Sequence, residues 1–555
     1  MFCYHCQEAK KNIACDTAGI CGKKADVSSL HDLLTYTLKG LCFYAVKAQE
    51  SGITETNIDK FVARALYSMV TNVNFDAAVF VQLIAETVQR REHLKRSLSE
   101  IETVTISDEP EEAQWYYEKI DQAAFVKKGE TVGVNSAGEL SGEAADLHAA
   151  REILIYAAKG LGALLEHLQM LGVFELEHYV FMHEAVAFTL QQEQSLEDVL
   201  AMNFQCGEQA ILIMARLERI NLEKFGQPSP TTVHLDTWDN PGIIVSGHDF
   251  QDLQDLLEQS AGSGVDIYTH GEMLAAHSYP AFQKYFNLVG NYGGAWQDQK
   301  TQFGKFQGPV LVTSNSLQQP KKGYIEIAYT SGMVGWPDVT HIEKRRTDET
   351  KDFSAIIERA KQCQPPLALT EGTVTIGYGR ETLLALSDKI IQSIKSGDIK
   401  RIIVIIGGDG RHKERRYYTG LVEALPADTL VLTAGDTKYR FHQLDLGEIN
   451  GIPRLLDAGQ TQDFYAVIAF LRHLQKTMQL EHINDLPVSF NIAWFEQQTI
   501  LMILALFALG IKNLRIGPTL PPFFSPGILE KLTAELAVKG IDTAENDIAA
   551  MLQGE

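Results

Sequence analysis

The chain has 555 residues, 45% of them hydrophobic, which is enough for several domains with buried cores. Its formal net charge of −22 excludes nucleic acid and anionic membrane surfaces as expected partners, because both attract Lys and Arg. No apolar run predicts a membrane-spanning helix, and the N-terminus lacks the pattern of a secretory signal. With only seven cysteines, the composition predicts a cytoplasmic protein.

Four of the seven cysteines lie close together at the N-terminus. They are Cys3, Cys6, Cys15 and Cys21. In a reducing compartment, clustered cysteines bind metal more often than they pair as disulfides. Four thiolates on one loop suit an iron–sulfur cluster. A single zinc ion is the alternative, since zinc also accepts four thiolates, and a loop without metal is the third interpretation.

Helical periodicity dominates the next part of the chain. Long apolar-periodic segments occur at Leu30–Glu50, Glu143–Leu171, Leu176–Glu193 and Leu196–Glu223. Apolar residues at this spacing form one buried face per helix. The pattern predicts a helical bundle that, together with the cysteine loop, occupies residues 1–225.

After a turn-rich linker at residues 226–230, short β-branched runs replace the helical pattern. Strands are expected at Ile243–Val245, Val265–Thr269, Pro309–Thr313 and Tyr324–Tyr329, with a helix at Asp249–Gln259 between the first two. Strands that alternate with helices indicate a parallel sheet. We interpret residues 226–365 as an α/β domain.

A second boundary lies near residues 363–366, where two prolines follow one another. Beyond it, strands are expected at Arg401–Ile406, Thr429–Ala434 and Val488–Ala493, followed by a very apolar helix at Ile500–Leu509. Residues 366–555 therefore form a second α/β domain. The predicted fold class is multidomain, with an N-terminal helical bundle followed by two Rossmann-like α/β domains.

Several longer motifs, in order along the chain, are more specific than these patterns. They include Val245-Ser-Gly-His248-Asp249, Tyr268-Thr-His-Gly-Glu272, Gly290-Asn-Tyr-Gly-Gly-Ala-Trp296, Val334-Gly-Trp-Pro337, Leu432-Thr-Ala-Gly435, Asp457-Ala-Gly-Gln460 and Asn491-Ile-Ala-Trp-Phe-Glu496. With the cysteine loop, they resemble the hybrid-cluster (prismane) proteins, which are known as hydroxylamine reductases. The resemblance covers essentially the whole chain.

The resemblance implies two metal centres. The first is a [4Fe–4S] cluster on Cys3, Cys6, Cys15 and Cys21, whose short spacing matches the four-iron form of the family. The second is the hybrid cluster, which the family holds with one histidine, two glutamates and four cysteines, one of them persulfidated. The histidine corresponds to His248, and the glutamates correspond to Glu272 and Glu496.

None of the four hybrid-cluster cysteines is present. Their positions correspond to Ser316, Gly408, Asp436 and Thr461. Hydroxyl groups are poor ligands at neutral pH and glycine has no side chain, so we expect no intact hybrid cluster. A family lysine two positions after Glu496 is here Gln498.

A donor set of oxygen and nitrogen atoms remains at the second centre: His248, Glu272, Asp436 and Glu496. Imidazole and carboxylates suit iron, manganese or zinc without sulfide. Three of these residues follow predicted strands, and ligand sites in α/β folds lie at the carboxyl ends of strands. The alternatives are a vacant or purely structural pocket and a surviving iron–sulfur centre of unfamiliar type.

Two functions remain open at this stage. The first is an oxidoreductase of the hydroxylamine reductase type, in which a redox donor protein supplies electrons through the N-terminal cluster for reduction of a small nitrogen- or oxygen-containing substrate. The four donors of the second site would then be the catalytic residues. The second is a non-enzymatic electron carrier or sensor whose hybrid-cluster site is vacant.

Overall fold

The computed structural model describes residues 1–101, 106, 108–136, 138, 140–343 and 350–555. They form two compact units. The helical unit comprises Met1–Ile213, Glu496–Ala508 and Pro521–Lys531, and the sheet unit comprises Met214–Phe495, Leu509–Leu520 and Leu532–Glu555.

The helices of the described chain are α1 (Ala25–Glu50), α2 (Thr56–Ser68), α3 (Ala77–Ser99), α4 (Glu111–Gln114), α5 (Gln122–Val132), α6 (Gly142–Met170), α7 (Leu176–Phe188), α8 (Leu196–Phe225), α9 (Phe250–Ser260), α10 (Pro280–Gln283), α11 (Gln299–Phe306), α12 (Ser354–Ala360), α13 (Arg380–Ser396), α14 (Arg416–Ala424), α15 (Phe464–Thr477), α16 (Gln497–Ala508), α17 (Pro526–Leu536) and α18 (Ala544–Gln553).

The strands are β1 (Thr231–His234), β2 (Gly242–Ser246), β3 (Asp266–His270), β4 (Leu288–Asn291), β5 (Val310–Val312), β6 (Ala328–Ser331), β7 (Thr340–Ile342), β8 (Thr373–Ile376), β9 (Arg401–Ile406), β10 (Thr429–Ala434), β11 (Glu448–Ile449), β12 (Ile452–Pro453), β13 (Leu455–Asp457), β14 (Val488–Ile492), β15 (Arg515–Ile516) and β16 (Lys539–Gly540).

In the helical unit, α6 and α16 are apolar on most faces, and helices of that kind lie inside a bundle. They pack closely, because a β-carbon on Gly160 of α6 would lie 2.9 Å from the carbonyl oxygen of Gln497. A second close crossing joins α8 to α16, where a β-carbon on Gly207 would lie 2.4 Å from the backbone of Leu504. Glycine permits both approaches because it has no side chain.

The sheet unit contains two six-stranded parallel sheets. Their strand orders are β4-β3-β2-β5-β6-β7 and β13-β10-β9-β14-β15-β16. The central strands β2 and β9 are almost entirely buried, as expected for parallel strands covered on both faces. The order reverses beside β2 in the first sheet and beside β9 in the second, and such reversals create crevices at the carboxyl ends of strands.

These elements confirm the predicted fold class of a helical bundle with two α/β sheets. One predicted strand is misplaced. Ile325–Ile327 form a 3-10 turn, and β6 begins only at Ala328. The amide of Ile325 donates to the carbonyl of Lys321, so a local turn replaces the ladder that the alternating pattern predicted. The two domain boundaries, near residues 226 and 366, stay a prediction. None of the described helices is long and apolar enough to cross a membrane.

Candidate metal centres

The N-terminal cysteines lie on a loop that folds back on itself. Cys3 and Cys15 form a two-residue antiparallel bridge, with amide-to-carbonyl distances of 3.1 and 2.8 Å. A tight turn surrounds Cys21, where the amide of Gly22 donates to the carbonyl of Gly19 over 2.9 Å. Gly22 has a φ of 105°, a conformation that glycine adopts without strain. These contacts bring four sequence-separated thiols to one loop.

The environment of these thiols calls for a positive centre. Burial raises the pKa of Cys6 well above its usual value, and negative charge on Cys21 and Cys3 raises it further. Burial also raises the pKa of Cys21. Thiolates are the form that binds metal, so a bound cationic centre is what would keep this set deprotonated. The donor set therefore fits an iron–sulfur cluster.

The spacing of the thiols bears on the choice between zinc and a cluster. Zinc with bonds of about 2.3 Å holds four thiolates about 3.8 Å apart. Among the described residues, no three of these cysteines bring their sulfur atoms within 4.8 Å of one another. The loop is therefore wider than a single zinc ion requires, and this favours a multi-iron cluster.

The second candidate site lies at the carboxyl ends of strands in the sheet unit. His248 follows β2, Glu272 follows β3 and Asp436 follows β10. Each is preceded by a glycine with positive φ, which lets the chain turn sharply after the strand. The turns place the three side chains at the carboxyl ends of their strands, where ligand sites of α/β folds lie.

Glu272 is the most highly connected residue of this site. Its Oε2 lies 2.9 Å from Nε2 of His248 and accepts a hydrogen bond of 2.6 Å from the amide of Thr461. Its Oε1 accepts a hydrogen bond of 2.6 Å from the Thr461 hydroxyl. Burial would raise the pKa of Glu272, but the His248 charge and the Thr461 hydrogen bonds outweigh it and lower the pKa to about 2. The carboxylate therefore stays ionised.

Asp436 has a different environment. Its Oδ2 accepts a long hydrogen bond of 3.4 Å from the amide of Trp296, whereas its Oδ1 has no hydrogen-bond partner among the described residues. Burial and then the negative charge of Glu272 raise the pKa of Asp436 well above its usual range. Asp436, Glu272 and His248 do not form a compact three-donor group. Among the described residues, no choice of one ligand atom from each brings all three atoms within 4.8 Å of one another.

The fourth predicted donor, Glu496, belongs to the helical unit. It immediately precedes α16 and is buried. Its Oε1 accepts a hydrogen bond of 3.0 Å from the amide of Thr499, as a capping carboxylate does at a helix N-terminus. The structure thus brings His248 and Glu272 into contact and places Asp436 in the same unit.

In the turn at Gly407–Gly410, position 408 has no room for a side chain. A β-carbon on Gly408 would lie 2.6 Å from Cε3 of Trp494, so the indole ring occupies the space of a side chain. Arg415 holds the turn in place: its guanidinium pairs with Asp409 over 2.5 Å and donates to the carbonyls of Gly408 and Ala493. This arrangement does not fit a thiolate ligand at position 408.

The sequence matches a family model over nearly its full length. Residues 1–549 fit the model described as the Prismane/CO dehydrogenase family. The chain belongs to that family. Membership confirms the resemblance inferred from the motifs, and at this coarse level the chain is a metal-binding iron–sulfur redox protein.

Relatives of the Prismane/CO dehydrogenase family match the chain end to end. A hydroxylamine reductase of Halothermothrix orenii is 43% identical over 560 residues, and one of Nitratidesulfovibrio vulgaris is 42% identical over 562 residues; each alignment covers all of both chains. Among solved structures, carbon monoxide dehydrogenase IV of Carboxydothermus hydrogenoformans matches with a TM-score of 0.57 and 15% identity. That match covers 100% of this chain and 92% of the other. It shows the fold alone.

The donor set of the second site does not fit the hybrid cluster of the prismane family. A sulfide-bridged cluster needs thiolates, and the positions assigned to them hold two hydroxyls, a carboxyl and a glycine covered by an indole ring. Sequence reasoning missed Trp494 and Arg415, because a buried aromatic or arginine in a motif carries no signal of what it contacts. It also missed a partly exposed set, Glu175, Glu177 and His178, whose donor atoms lie within 4.8 Å of one another.

Proposed function

We propose that this chain is an iron–sulfur redox protein in which Cys3, Cys6, Cys15 and Cys21 hold a [4Fe–4S] cluster that relays electrons from a redox donor protein. Four thiols on a loop too wide for one zinc ion carry this part of the proposal. Such a cluster supplies one-electron transfer. Lys23, buried beside the loop, would offset part of its negative charge.

The electrons would reach a sulfur-free second site that holds one or two ions of iron, manganese or zinc and reduces a small nitrogen- or oxygen-containing substrate. His248, Glu272 and Asp436 of the sheet unit would hold the metal, and the assignment of Glu496 stays a prediction. The supporting observation is the buried Oδ1 of Asp436, which has no partner among the described residues and which a cation would satisfy. The distance of 2.9 Å between His248 and Glu272 suits two ligands of one ion, and Asp436, which does not complete a three-donor group with that pair, would contact a second ion.

The second candidate is a non-enzymatic electron carrier or sensor with no metal at the second site. It is favoured by the hydrogen bonds of Glu272, whose two oxygens already have partners in His248 and Thr461. A carboxylate satisfied in this way needs no cation.

Metal and acid-labile sulfide, counted per chain after anaerobic purification, separate these functions. Four irons and four sulfides with one or two further metals support the reductase. Four irons and four sulfides alone support the carrier or sensor. About eight irons with excess sulfide would overturn the inference that the missing cysteines prevent the hybrid cluster.

Two variants test whether the further metal binds at the second site. Glu272→Gln and Asp436→Asn should remove the further metal and leave the four irons and four sulfides. Glu326→Gln, an exposed carboxylate in the same sheet unit, is the matched control and should leave all counts unchanged. Equal metal loss in the control would mean that the counts do not report on this site.

A further inference from the structure

A polar cleft in the helical unit lies beside the N-terminal cysteine loop and has no role in the function proposed so far. Asp32 and Lys39 stand two turns apart on α1, and Glu152, Tyr156 and Lys159 stand on one face of α6. The spacing of three, four and seven residues puts each set on a single stripe of its helix. A cavity of about 290 Å³ lies between the two stripes. We name it the α1/α6 cleft.

Two charged groups of this cleft are buried, and Asp32 is partly buried. Glu152 and Lys159 are only 8% and 3% exposed. Over the described ranges, Asp32, Glu152 and Lys159 make no hydrogen bond and no ion pair. The hydroxyl of Tyr156 and Nδ1 of His5 also have no hydrogen-bond partner there. A buried charge is costly unless it has a hydrogen-bond or ionic partner. Water molecules and protons in the cavity must therefore stabilise these groups.

The signs of the charges argue against a simple ionic ligand. Three acidic side chains and three basic ones line the cavity: Asp32, Glu112 and Glu152, and Lys39, Arg151 and Lys159. A set balanced in this way attracts neither an anion nor a cation strongly. The cavity reaches the surface at exposed Ser136 and Gln192, so solvent protons have access.

The inner end of the cleft meets the cysteine loop. His5, between Cys3 and Cys6 in sequence, lines the cavity, and its ring lies 5.4 Å from the ring of Tyr156. The charge of Cys3 is close enough to raise the pKa of Lys159. Charge on the loop and charge in the cleft therefore influence each other through a buried, low-dielectric region.

Two cleft groups titrate near neutral pH. Burial raises the pKa of Asp32 to about 7, with Lys159 acting in the opposite direction and Glu152 adding to the rise. Burial lowers the pKa of Lys159 to about 8, and the charges of Glu152 and Asp32 counter that decrease. The other charged or titratable groups that face them are His148, Arg151 and Tyr156 on α6, Lys39 on α1, Glu112 on α4, and His5, Lys23 and the N-terminus.

We propose that the α1/α6 cleft is a proton-uptake site that takes up a proton from solvent when the four-cysteine site takes up an electron. The inference rests on the proposed [4Fe–4S] cluster. One electron comes from a one-electron reductant, and one proton goes to the carboxylate of Asp32 or the amine of Lys159. The added negative charge on the loop and the added positive charge in the cleft cancel, which makes reduction more favourable than electron uptake alone.

The test is the midpoint potential of the cluster in the purified full chain, measured by mediated titration with EPR detection between pH 6 and 9. A one-electron couple that takes up one proton changes its potential by up to about 59 mV for each tenfold change in proton concentration. Because the two groups titrate near pH 7 and 8, we expect the potential to fall as the pH rises above about 7. A potential that is constant from pH 6 to 9 would overturn the proposal.

Variants of Asp32 and Lys159 test whether the proton is taken up in the cleft. Asp32→Asn and Lys159→Met should each reduce the slope, and the double variant should abolish it. Asp59→Asn, another buried carboxyl of the helical unit that does not line the cleft, should keep the wild-type slope. An unchanged slope in the double variant refutes the assignment even if the cluster is intact. Absence of a reducible EPR signal in the wild type would instead refute the proposed cluster and this inference with it.

Discussion

The indole ring of Trp494 lies against the α-carbon of Gly408, so closely that a β-carbon there would approach Cε3 of the ring to 2.6 Å. Gly408 is a position that the family resemblance assigns to a hybrid-cluster cysteine. The ring therefore occupies the space that a side chain at position 408 would need. A cysteine introduced there would not by itself provide a metal ligand.

Gly408→Cys should lower the free energy of unfolding by about 1–3 kcal/mol, because the new side chain overpacks against Trp494. Gly408→Cys with Trp494→Ala should relieve the clash but add no iron. Urea unfolding and iron analysis measure the two effects. Gly420→Cys on α14, where a β-carbon meets open space, is the control and should cost less. A gain of iron in the single variant would contradict the packing argument.

Cys6→Ser should remove most of the iron and sulfide, because a hydroxyl is a poor substitute for a thiolate. The far-UV circular dichroism of the remaining protein should change little, since the loop contains only a three-residue 3-10 helix. Cys363→Ser, on a partly buried cysteine of the sheet unit, is the control and should retain full iron content. Equal iron in both variants would show that the N-terminal loop holds no cluster.

Arg415→Lys should destabilise the sheet unit by roughly 2 kcal/mol, although it keeps the positive charge. The guanidinium of Arg415 contacts Asp409 and two backbone carbonyls at once, and a lysine ammonium cannot match that planar geometry. The adjacent, exposed Arg416 provides the comparison. Arg416→Lys should leave the urea midpoint unchanged, and a similar loss in both variants would argue against a special role for Arg415.

Gly207→Ala should destabilise the helical unit by about 1–3 kcal/mol, because its β-carbon would collide with the backbone of Leu504. Backbone atoms cannot move aside as a flexible side chain can. Gly304→Ala on α11, with no atom within 4 Å of the added carbon, should be neutral or slightly stabilising. Thermal unfolding of the two variants measures the difference.

Titration of His183 should lower the stability of the helical unit as the pH falls. Burial lowers its pKa to about 4, whereas an unfolded histidine titrates near 6.5. Its contribution is therefore complete above about pH 6.5 and is lost as the pH falls towards 4, a loss that approaches roughly 3 kcal/mol. The ring lies 3.7 Å from Asp59, whose pKa burial raises to about 6. Asp59 therefore acts in the opposite direction between about pH 6 and 4, and the His183 contribution is the difference between the wild type and a variant without the imidazole.

His183→Gln removes this titration. The melting temperature of the variant should fall less than that of the wild type between pH 6.5 and 4. His93→Gln, on an exposed histidine of α3, should follow the wild-type profile. Parallel profiles for the wild type and His183→Gln would show that the buried imidazole does not control acid stability.

The sequence predicted the strands that precede three residues of the second candidate site. The runs before His248, Glu272 and Asp436 are short and apolar, and parallel strands place their carboxyl ends at one edge. The contacts within the site were not visible. Nothing in the sequence near Thr461 indicates that its amide and hydroxyl both bind Glu272, because the two residues are far apart along the chain.

The apolar helix near the C-terminus illustrates the same limit. Its composition predicted a buried helix, and α16 is buried along almost its whole length. Its place in the helical unit, against Gly160 and Gly207, depends on packing partners more than 280 positions away. A local pattern reports how much of a helix is buried but not which surface covers it.

By itself, the sequence determined the four-thiol loop and the alternation of helices and strands, and it predicted the replacement of four sulfur ligands. These features depend on residue type and short spacing, which the chain fixes locally. Only the tertiary structure decided that Trp494 fills the space above Gly408, that Glu272 is satisfied while Asp436 is not, and that unpaired charges on α1 and α6 face one cavity. Those outcomes depend on side chains from distant segments competing for the same volume and the same hydrogen bonds, which no local pattern records.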